Sequence, residues 1–171
     1  RHLLREHYDE AKTAFSEAQT LAKAANLDSL EAQAVLGLGD VLRLTGEYGR
    51  AAETYQQARG LASDNAELLQ RVLIRRGDLF RLQGDAERAV QDYERAADEY
   101  GRLGLPIREA WARLRMAQTG TPGAAEDAHA LFKSVDHAAG VAASDAIAGH
   151  PARSLDWHLN RSADHSRDRW N

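Results

Sequence analysis

The chain contains no cysteine among its 171 residues. Disulfide bonds, thiol catalysis and cysteine-ligated zinc are therefore excluded, and this absence fits a reducing compartment. Proline is also scarce, at three residues, and aromatic residues make up only 6% of the chain. Because helix breakers are few while Ala, Leu, Glu and Arg are abundant, the composition favours α-helix.

Long apolar runs are missing as well. No stretch approaches the roughly 20 apolar residues that a membrane-spanning helix needs, and the opening RHLLREHYDE lacks the apolar core of a signal peptide. The net charge of −4 gives no reason to expect nucleic acid as the main partner. We therefore expect a cytoplasmic protein that binds neither membrane nor nucleic acid. Because the chain begins with Arg1 rather than Met, we interpret it as an internal piece of a longer protein.

Sequence motifs of catalysis are absent: there is no phosphate-binding loop, no GxSxG motif and no HExxH motif. The GxG within LGLGD (36–40) lies inside a helical pattern, so it does not predict a nucleotide site. Histidines concentrate late in the chain without the i,i+4 spacing of a helical metal-binding pair. We expect no enzyme activity, no cofactor and no metal. These late histidines are His129, His137, His150, His158 and His165.

One segment of the chain recurs in closely similar form. LGDVLRLTGEYGRAAETYQQA (38–58) is followed by RGDLFRLQGDAERAVQDYERA (76–96), 38 residues later. Small residues recur where two helices would approach closely, and a tyrosine recurs where a pocket would be filled. Self-similarity with a period of this size indicates a solenoid of stacked units. The aligned pairs are Gly39 with Gly77, Asp40 with Asp78, Gly46 with Gly84, Ala51 with Ala89, Tyr55 with Tyr93, and Ala58 with Ala96.

Each unit is predicted to contain two helices. Asp28-Ser29 and Asp64-Asn65 are candidate N-caps of the first helix in each unit. Glycines in TGE (45–47) and QGD (83–85) are expected to end these helices. The second helices are predicted from about Tyr48 to Leu61 and from about Ala86 to Tyr100.

The same frame extends in both directions. A shift of 40 residues places Tyr8 on Tyr48 and Phe15 on Tyr55, so residues 1–26 are interpreted as the end of one first helix plus a complete second helix. Downstream, Pro106 is expected to open another helix, and a shift of 39 places Phe132 on Tyr93. The predicted division is a partial repeat (1–26), two repeats (27–64 and 65–104), a weaker repeat (105–138) and a C-terminal extension (139–171). Within the extension, SLDWHLNR (154–161) is a capping helix, a helix that lies in the groove of a neighbouring molecule, or disordered.

These residues resemble the tetratricopeptide repeat family. Its pattern is a small residue in the middle of the first helix, Gly at the turn, and then Ala, an aromatic residue and Ala on the second helix. The resemblance implies an all-α, right-handed superhelical solenoid that binds protein segments without catalysis. The units are several residues longer than usual, and they lack both the aromatic residue early in the first helix and the closing proline. Units of this length are similar to those in bacterial signalling and ATPase-regulator arrays.

The resemblance also implies a concave face lined by the first helices. On that face we expect an acidic segment with an apolar anchor, because the predicted groove is rich in arginine. The alternative is that these arginines are ordinary surface, with Asp40 pairing with Arg43 and Asp78 with Arg81. The predicted groove residues are Gln33, Leu36, Asp40, Arg43, Arg71, Ile74, Asp78 and Arg81, with Arg75 at the edge and Arg113 in the next unit.

One family ligand is disfavoured. Repeats that clamp the acidic C-terminal tails of heat-shock chaperones carry an Asn directly after the small mid-helix residue and a Lys three residues before it. Here Asp40 and Asp78 occupy the Asn positions, while Leu36 and Ile74 occupy the Lys positions. A carboxylate at the Asn position would repel a terminal carboxylate.

Three functions are compatible with the sequence. The first is protein–protein interaction through the concave face. The second is a regulatory or sensor segment of a larger multidomain signalling or transcription-regulator protein, and the third is homo-oligomerisation through the N-terminal edge. For the first, we expect Gly77→Leu to unfold the array, and Arg75→Glu to spare folding and weaken an acidic ligand.

Overall fold

A computed structural model describes residues 2–149, with side chains from residue 6 onward. Within that range the chain forms eight α-helices and no strand. Consecutive helices pack on one another, and in addition α2 contacts α4 and α6 contacts α8. This arrangement confirms the predicted all-α solenoid, since each helix contacts its neighbours along the chain. The helices are α1 (His2–Ala24), α2 (Asp28–Leu44), α3 (Tyr48–Leu61), α4 (Ala66–Leu82), α5 (Ala86–Arg102), α6 (Pro106–Gln118), α7 (Ala124–Ser134) and α8 (Ala138–Ile147).

The two helices of each central unit meet where a tyrosine ring lies on a glycine. A Cβ atom added to Gly39 would lie 2.6 Å from the ring of Tyr55, and one added to Gly77 would lie 2.6 Å from the ring of Tyr93. Both tyrosines are fully buried. The repeated Gly and Tyr therefore mark a close contact between the two helices of each unit, as the sequence predicts.

Glycine also ends the first helix of each central unit. Gly46 and Gly84 have φ angles of +83° and +79°, which L side chains rarely adopt. The amide of Glu47 then donates to the carbonyl of Leu42 at 2.8 Å, and the amide of Asp85 donates to that of Phe80 at 2.9 Å. These bonds close the helix ends in the Schellman manner.

The helix starts agree only in part with the predicted caps. The side chain of Asn65 accepts a hydrogen bond from the amide of Leu68 at 3.0 Å, so the cap at 64–65 is confirmed. Asp28 is already the first residue of α2, and Leu27 occupies the cap position without a side-chain bond. The prediction of a cap at 28–29 is therefore wrong. Leu27 is fixed instead by the closure of α1, since its amide donates to the carbonyl of Ala22 at 2.9 Å.

α1 is one unbroken helix of 23 residues. The repeat frame predicts that residues 1–26 include the end of a separate first helix, and the structure does not contain this break. Glu6 lies 40 residues before Gly46, at the position of the turn glycine. Because Glu favours helix and disfavours positive φ, the helix continues through this position.

The last described helix belongs to the predicted C-terminal extension. α8 packs against α7 and α6, and its Gly140 lies against the ring of Phe132, which is fully buried. The predicted capping segment 154–161 lies outside the described residues. Among the helices at 2–149, none is long and apolar enough to cross a lipid bilayer.

Candidate partner-binding groove

Arginines and aspartates alternate in a row that crosses three first helices. The Asp40 carboxylate on α2 lies 3.8 Å from the guanidinium of Arg43 and 3.2 Å from Nε of Arg75 on α4. The Asp78 carboxylate on α4 lies 3.8 Å from the guanidinium of Arg75 and 3.0 Å from Nε of Arg115 on α6. The row, which we call the Arg–Asp ladder, thus links each first helix to the next.

Buried tyrosine hydroxyls hold the two aspartates of the ladder. Tyr55 Oη donates to Asp40 at 2.7 Å, and Tyr93 Oη donates to Asp78 at 2.8 Å. Burial, and then the adjacent carboxylate, raise the pKa of both tyrosines, so each hydroxyl keeps its proton. Each aspartate therefore joins the second helix of its own unit to the first helix of the next unit.

The predicted charge pairs occur only in part. The pair between Asp40 and Arg43 is present, and Arg43 Nε also donates to Tyr55 Oη at 3.2 Å. Asp78 pairs with Arg75 and Arg115, whereas Arg81 is exposed and lies near the Tyr93 hydroxyl.

Arg113 lies away from the ladder. It pairs with Glu109 at 2.8 Å along α6 and lies 3.8 Å from Asp127 on α7. At the ladder, the α6 arginine is Arg115. The sequence contained a signal for it, because Arg115 lies 40 residues after Arg75, the same shift that places Tyr8 on Tyr48.

One concavity, which we call the apolar groove, has a volume of about 800 Å³ and lies between α1, α2 and α4. Leu21 and Leu30 line it with exposed fractions of 71% and 53%, and Arg71 and Arg75 lie at its α4 side. Five predicted groove residues contribute to this lining: Gln33, Leu36, Asp40, Arg71 and Arg75.

A second concavity, which we call the arginine pocket, has a volume of about 400 Å³. It contains the predicted residues Arg71, Ile74 and Arg75, and five further residues that are not among the predicted groove residues. These further residues are Tyr100, Arg108, Trp111, Ala112 and Arg115. They come from α5 and α6, so their placement depends on how the next unit stacks and not on the repeat frame of α4.

Arg71 lines both concavities and is exposed. Among residues 6–149, no carboxylate lies within 4.0 Å of its guanidinium, whereas Arg108 pairs with Glu67 at 2.8 Å. Arg71 can therefore meet an acidic ligand without first leaving a carboxylate partner.

Two of the late histidines stabilise the α7–α8 pair. His129 Nδ1 lies 3.0 Å from Asp145, which links α7 to α8, and His137 Nδ1 accepts from the amide of Gly140 at the start of α8. No group of three or more potential metal ligands occurs in the described part of the chain. His150, His158 and His165 lie outside it.

Comparison with known proteins supports the repeat. The family model of the tetratricopeptide repeat matches residues 70–100, which confirms the resemblance found in the sequence. Tetratricopeptide repeats are generally non-catalytic modules of protein interaction. No curated protein matches the chain.

A solved structure shares the fold. The crystal structure of BtubC (BKLC) from P. vanneervenii is similar with a TM-score of 0.69 and 20% sequence identity. The match covers 82% of this chain and 62% of that one, so this chain spans less than two thirds of the BtubC chain. At this identity the likeness concerns the fold alone.

Proposed function

From an array of helix pairs with a tetratricopeptide repeat at residues 70–100, we propose that the protein is a non-catalytic, cytoplasmic interaction module that binds a protein segment in the apolar groove. The bound segment carries an apolar side chain and an acidic side chain. The observation that carries this proposal is the position of Arg71, exposed and without a carboxylate partner among the described residues, at the side of a groove lined by Leu21 and Leu30.

The chemistry of the groove supports each half of this ligand. An apolar side chain gains about 25 cal/mol for each Å² that it buries, and the leucines at the α1 side offer such a surface. A carboxylate gains charge-assisted hydrogen bonds from a guanidinium. The Asp40 carboxylate lines the same groove, so an acidic group is expected to lie towards Arg71 and away from Asp40. A chaperone C-terminal tail remains disfavoured for the same reason.

Fluorescent peptides test the proposal. We expect fluorescence anisotropy to show binding of a peptide of alternating Glu and Leu. Matched peptides with Lys for Glu, or with Ser for Leu, should bind at least about tenfold more weakly, which corresponds to about 1.4 kcal/mol of binding free energy. Equal affinity for the Glu and Lys peptides would contradict the proposed role of the arginine.

Arg71→Glu is the variant of choice for this test. Arg75→Glu is a poor probe because Arg75 contacts both Asp40 and Asp78, so the reversal would place three carboxylates together and lower stability. The matched control is Arg95→Glu, since Arg95 is exposed on α5 and lines neither concavity. Binding of the Glu–Leu peptide should weaken about tenfold in Arg71→Glu and stay unchanged in the control.

Self-association is a second candidate because the exposed leucines cluster at the N-terminal edge. Leu21, Leu27 and Leu30 are between 48% and 71% exposed and line one face, and contiguous apolar patches mark association sites. Sedimentation equilibrium should show a dimer that Leu21→Lys/Leu30→Lys converts to a monomer, while Leu103→Lys leaves it intact. A wild-type monomer at all concentrations would eliminate this candidate.

A further inference from the structure

We infer that the arginine pocket is a binding site for a phosphate monoester, which is a dianion carried on a small apolar group. This inference rests on the proposed function, because it names the chemistry of one ligand group at the side of the same groove. It is carried by three features of the pocket: an excess of positive charge, guanidinium groups already held in place, and an aromatic wall.

The charge excess follows from the ion pairs. Four arginines line the pocket, namely Arg71, Arg75, Arg108 and Arg115. Arg108 is balanced by Glu67, while Asp78 is shared between Arg75 and Arg115. Asp40 is likewise shared between Arg75 and Arg43. With Arg43, which lies outside the pocket lining, the ion-pair network of the pocket contains five guanidinium groups and three carboxylates, so it carries an excess of two positive charges.

A dianion matches this excess better than a carboxylate does. A phosphate monoester carries about −1.5 to −2 charges near pH 7, with a second pKa of about 6, whereas a carboxylate carries one. Planar guanidinium groups bind phosphate oxygens through paired hydrogen bonds. The charge of the pocket thus favours a phosphate monoester over a carboxylate, whereas the apolar groove alone would bind either group.

Two of the guanidinium groups, those of Arg75 and Arg115, are held in position by carboxylates before any ligand arrives. Asp78 has a side chain only 11% exposed, accepts from the Tyr93 hydroxyl at 2.8 Å and holds Nε of Arg115 at 3.0 Å. Nη1 of Arg115 also donates to the carbonyl of Trp111 at 3.5 Å. Holding the donors reduces the entropy that binding would otherwise lose.

The apolar wall selects what carries the phosphate. Trp111 is half-buried in the pocket lining beside Tyr100 and Ile74, and aromatic rings prefer offset or edge contacts with other rings. The volume of about 400 Å³ falls within the range of small-molecule sites, about 300–1,000 Å³. A phosphorylated aromatic or aliphatic side chain and a small free phosphate monoester share this chemistry.

Calorimetry with phenyl phosphate and phenyl sulfate tests the inference on the full chain. The two probes share a ring and an oxyanion shape, but phenyl sulfate carries a single charge. We expect phenyl phosphate to bind at least about tenfold more tightly at pH 7.5, and this preference to shrink at pH 5, where the phosphate loses its second charge. Equal affinity for the two probes, or no binding of phenyl phosphate, would overturn the inference.

Variants locate the site. Arg71→Gln should weaken phenyl phosphate about tenfold, and the control Arg95→Gln should leave it unchanged. A loss of affinity in both variants would indicate non-specific attraction and overturn the site. A single-stranded oligonucleotide that displaces phenyl phosphate with higher affinity would also overturn it, because the pocket would then recognise a phosphodiester backbone.

Two further arms separate the sources and the two proposals. A phosphotyrosine peptide that binds more tightly than phenyl phosphate identifies a phosphorylated protein segment as the source, whereas equal affinity identifies a small phosphate monoester. If the Glu–Leu peptide binds through Arg71 but phenyl phosphate does not bind, the proposed function stands and this inference fails. If neither probe binds, both fail.

Discussion

At the scale of single residues, the stability of the array depends on tightly packed positions where the gain or loss of one atom changes the free energy of unfolding. Gly77 and Tyr93 form such a contact, because a Cβ atom on Gly77 would lie 2.6 Å from the tyrosine ring. Gly77→Ala should lower the free energy of unfolding by about 1–3 kcal/mol through overpacking, and Gly77→Leu should lower it further. Urea denaturation followed by circular dichroism measures both.

A second helical glycine provides the control. Gly60 on α3 has nothing within 4 Å of an added Cβ atom, so Gly60→Ala should be neutral or stabilise the protein by up to about 1 kcal/mol. Similar losses at Gly77 and Gly60 would show that helix propensity, and not the ring contact, determines the effect.

The tyrosine hydroxyls form the other contact at this scale. Tyr93→Phe removes the hydroxyl that donates to Asp78 and should lower the free energy of unfolding by about 1–2 kcal/mol. The reason is that the nearly buried Asp78 carboxylate then lacks one of its hydrogen bonds. Tyr48→Phe, at a partly exposed position, is the matched control and should have little effect. An unchanged stability in Tyr93→Phe would mean that Arg75 and Arg115 suffice to hold Asp78.

At the scale of the helix, Glu47 links three elements. Its carboxylate accepts from Lys12 on α1, from Thr45 at 3.0 Å, and from Arg50 on α3. Hydrogen bonds from Lys12 and then Thr45 lower the pKa of Glu47 from 4.5 to about 2. Because the folded-state pKa is depressed, the stability that Glu47 contributes is present above about pH 4.5 and is lost as pH falls towards 2.

The pH dependence of a double-mutant cycle checks this link. The coupling between Lys12→Met and Glu47→Gln should favour the wild-type pair at pH 7 and decline between about pH 4.5 and 2, by urea denaturation at each pH. A coupling that is constant with pH, or absent at pH 7, would mean that the pair does not hold α1 to the α2–α3 turn.

Helix boundaries show what sequence patterns resolve at this scale. The start of α3, the start of α5 and the opening of α6 at Pro106 follow from turn glycines and a proline, because such residues act through local backbone geometry. The unbroken α1 departed from the frame at Glu6, and the cap of α2 departed at Leu27. In both places the neighbouring residues, and not the repeat, determine the helix end.

At the scale of the whole molecule, contacts run between neighbours along the chain, so damage should stay local. Ending the chain after Asp136 removes α8 and uncovers the buried ring of Phe132. Hydrogen exchange should then rise in α6 and α7 and stay unchanged in α1 to α4, relative to a chain that ends at Gly149. A uniform rise across all helices would indicate one cooperative core and not a chain of neighbours.

The groove belongs to this scale as well. Of the predicted groove residues, Arg71, Ile74 and Arg75 line the arginine pocket. A shift of 40 residues from Arg75 also leads to Arg115, whereas Tyr100, Arg108 and Trp111 do not follow from the repeat frame of α4. Tyr100 and Arg108 flank the α5–α6 turn, and Trp111 and Arg115 lie on α6. Their side chains reach the pocket only because α6 stacks on α5 beside α4. The repeat frame of the sequence does not give the distance between α4 and α6.

The sequence by itself determined the helical repeat, its turns and the glycine–tyrosine contacts, because these depend on local backbone geometry and on side-chain size at a fixed period. The tertiary structure alone decided which polar residues pair with one another. It placed Asp40 and Asp78 between a tyrosine of their own unit and an arginine of the next, and it left Arg71 without a carboxylate among the described residues. Charge pairing across units depends on distances of a few ångströms between segments that lie nearly 40 residues apart, and only the stacking of the helices sets those distances.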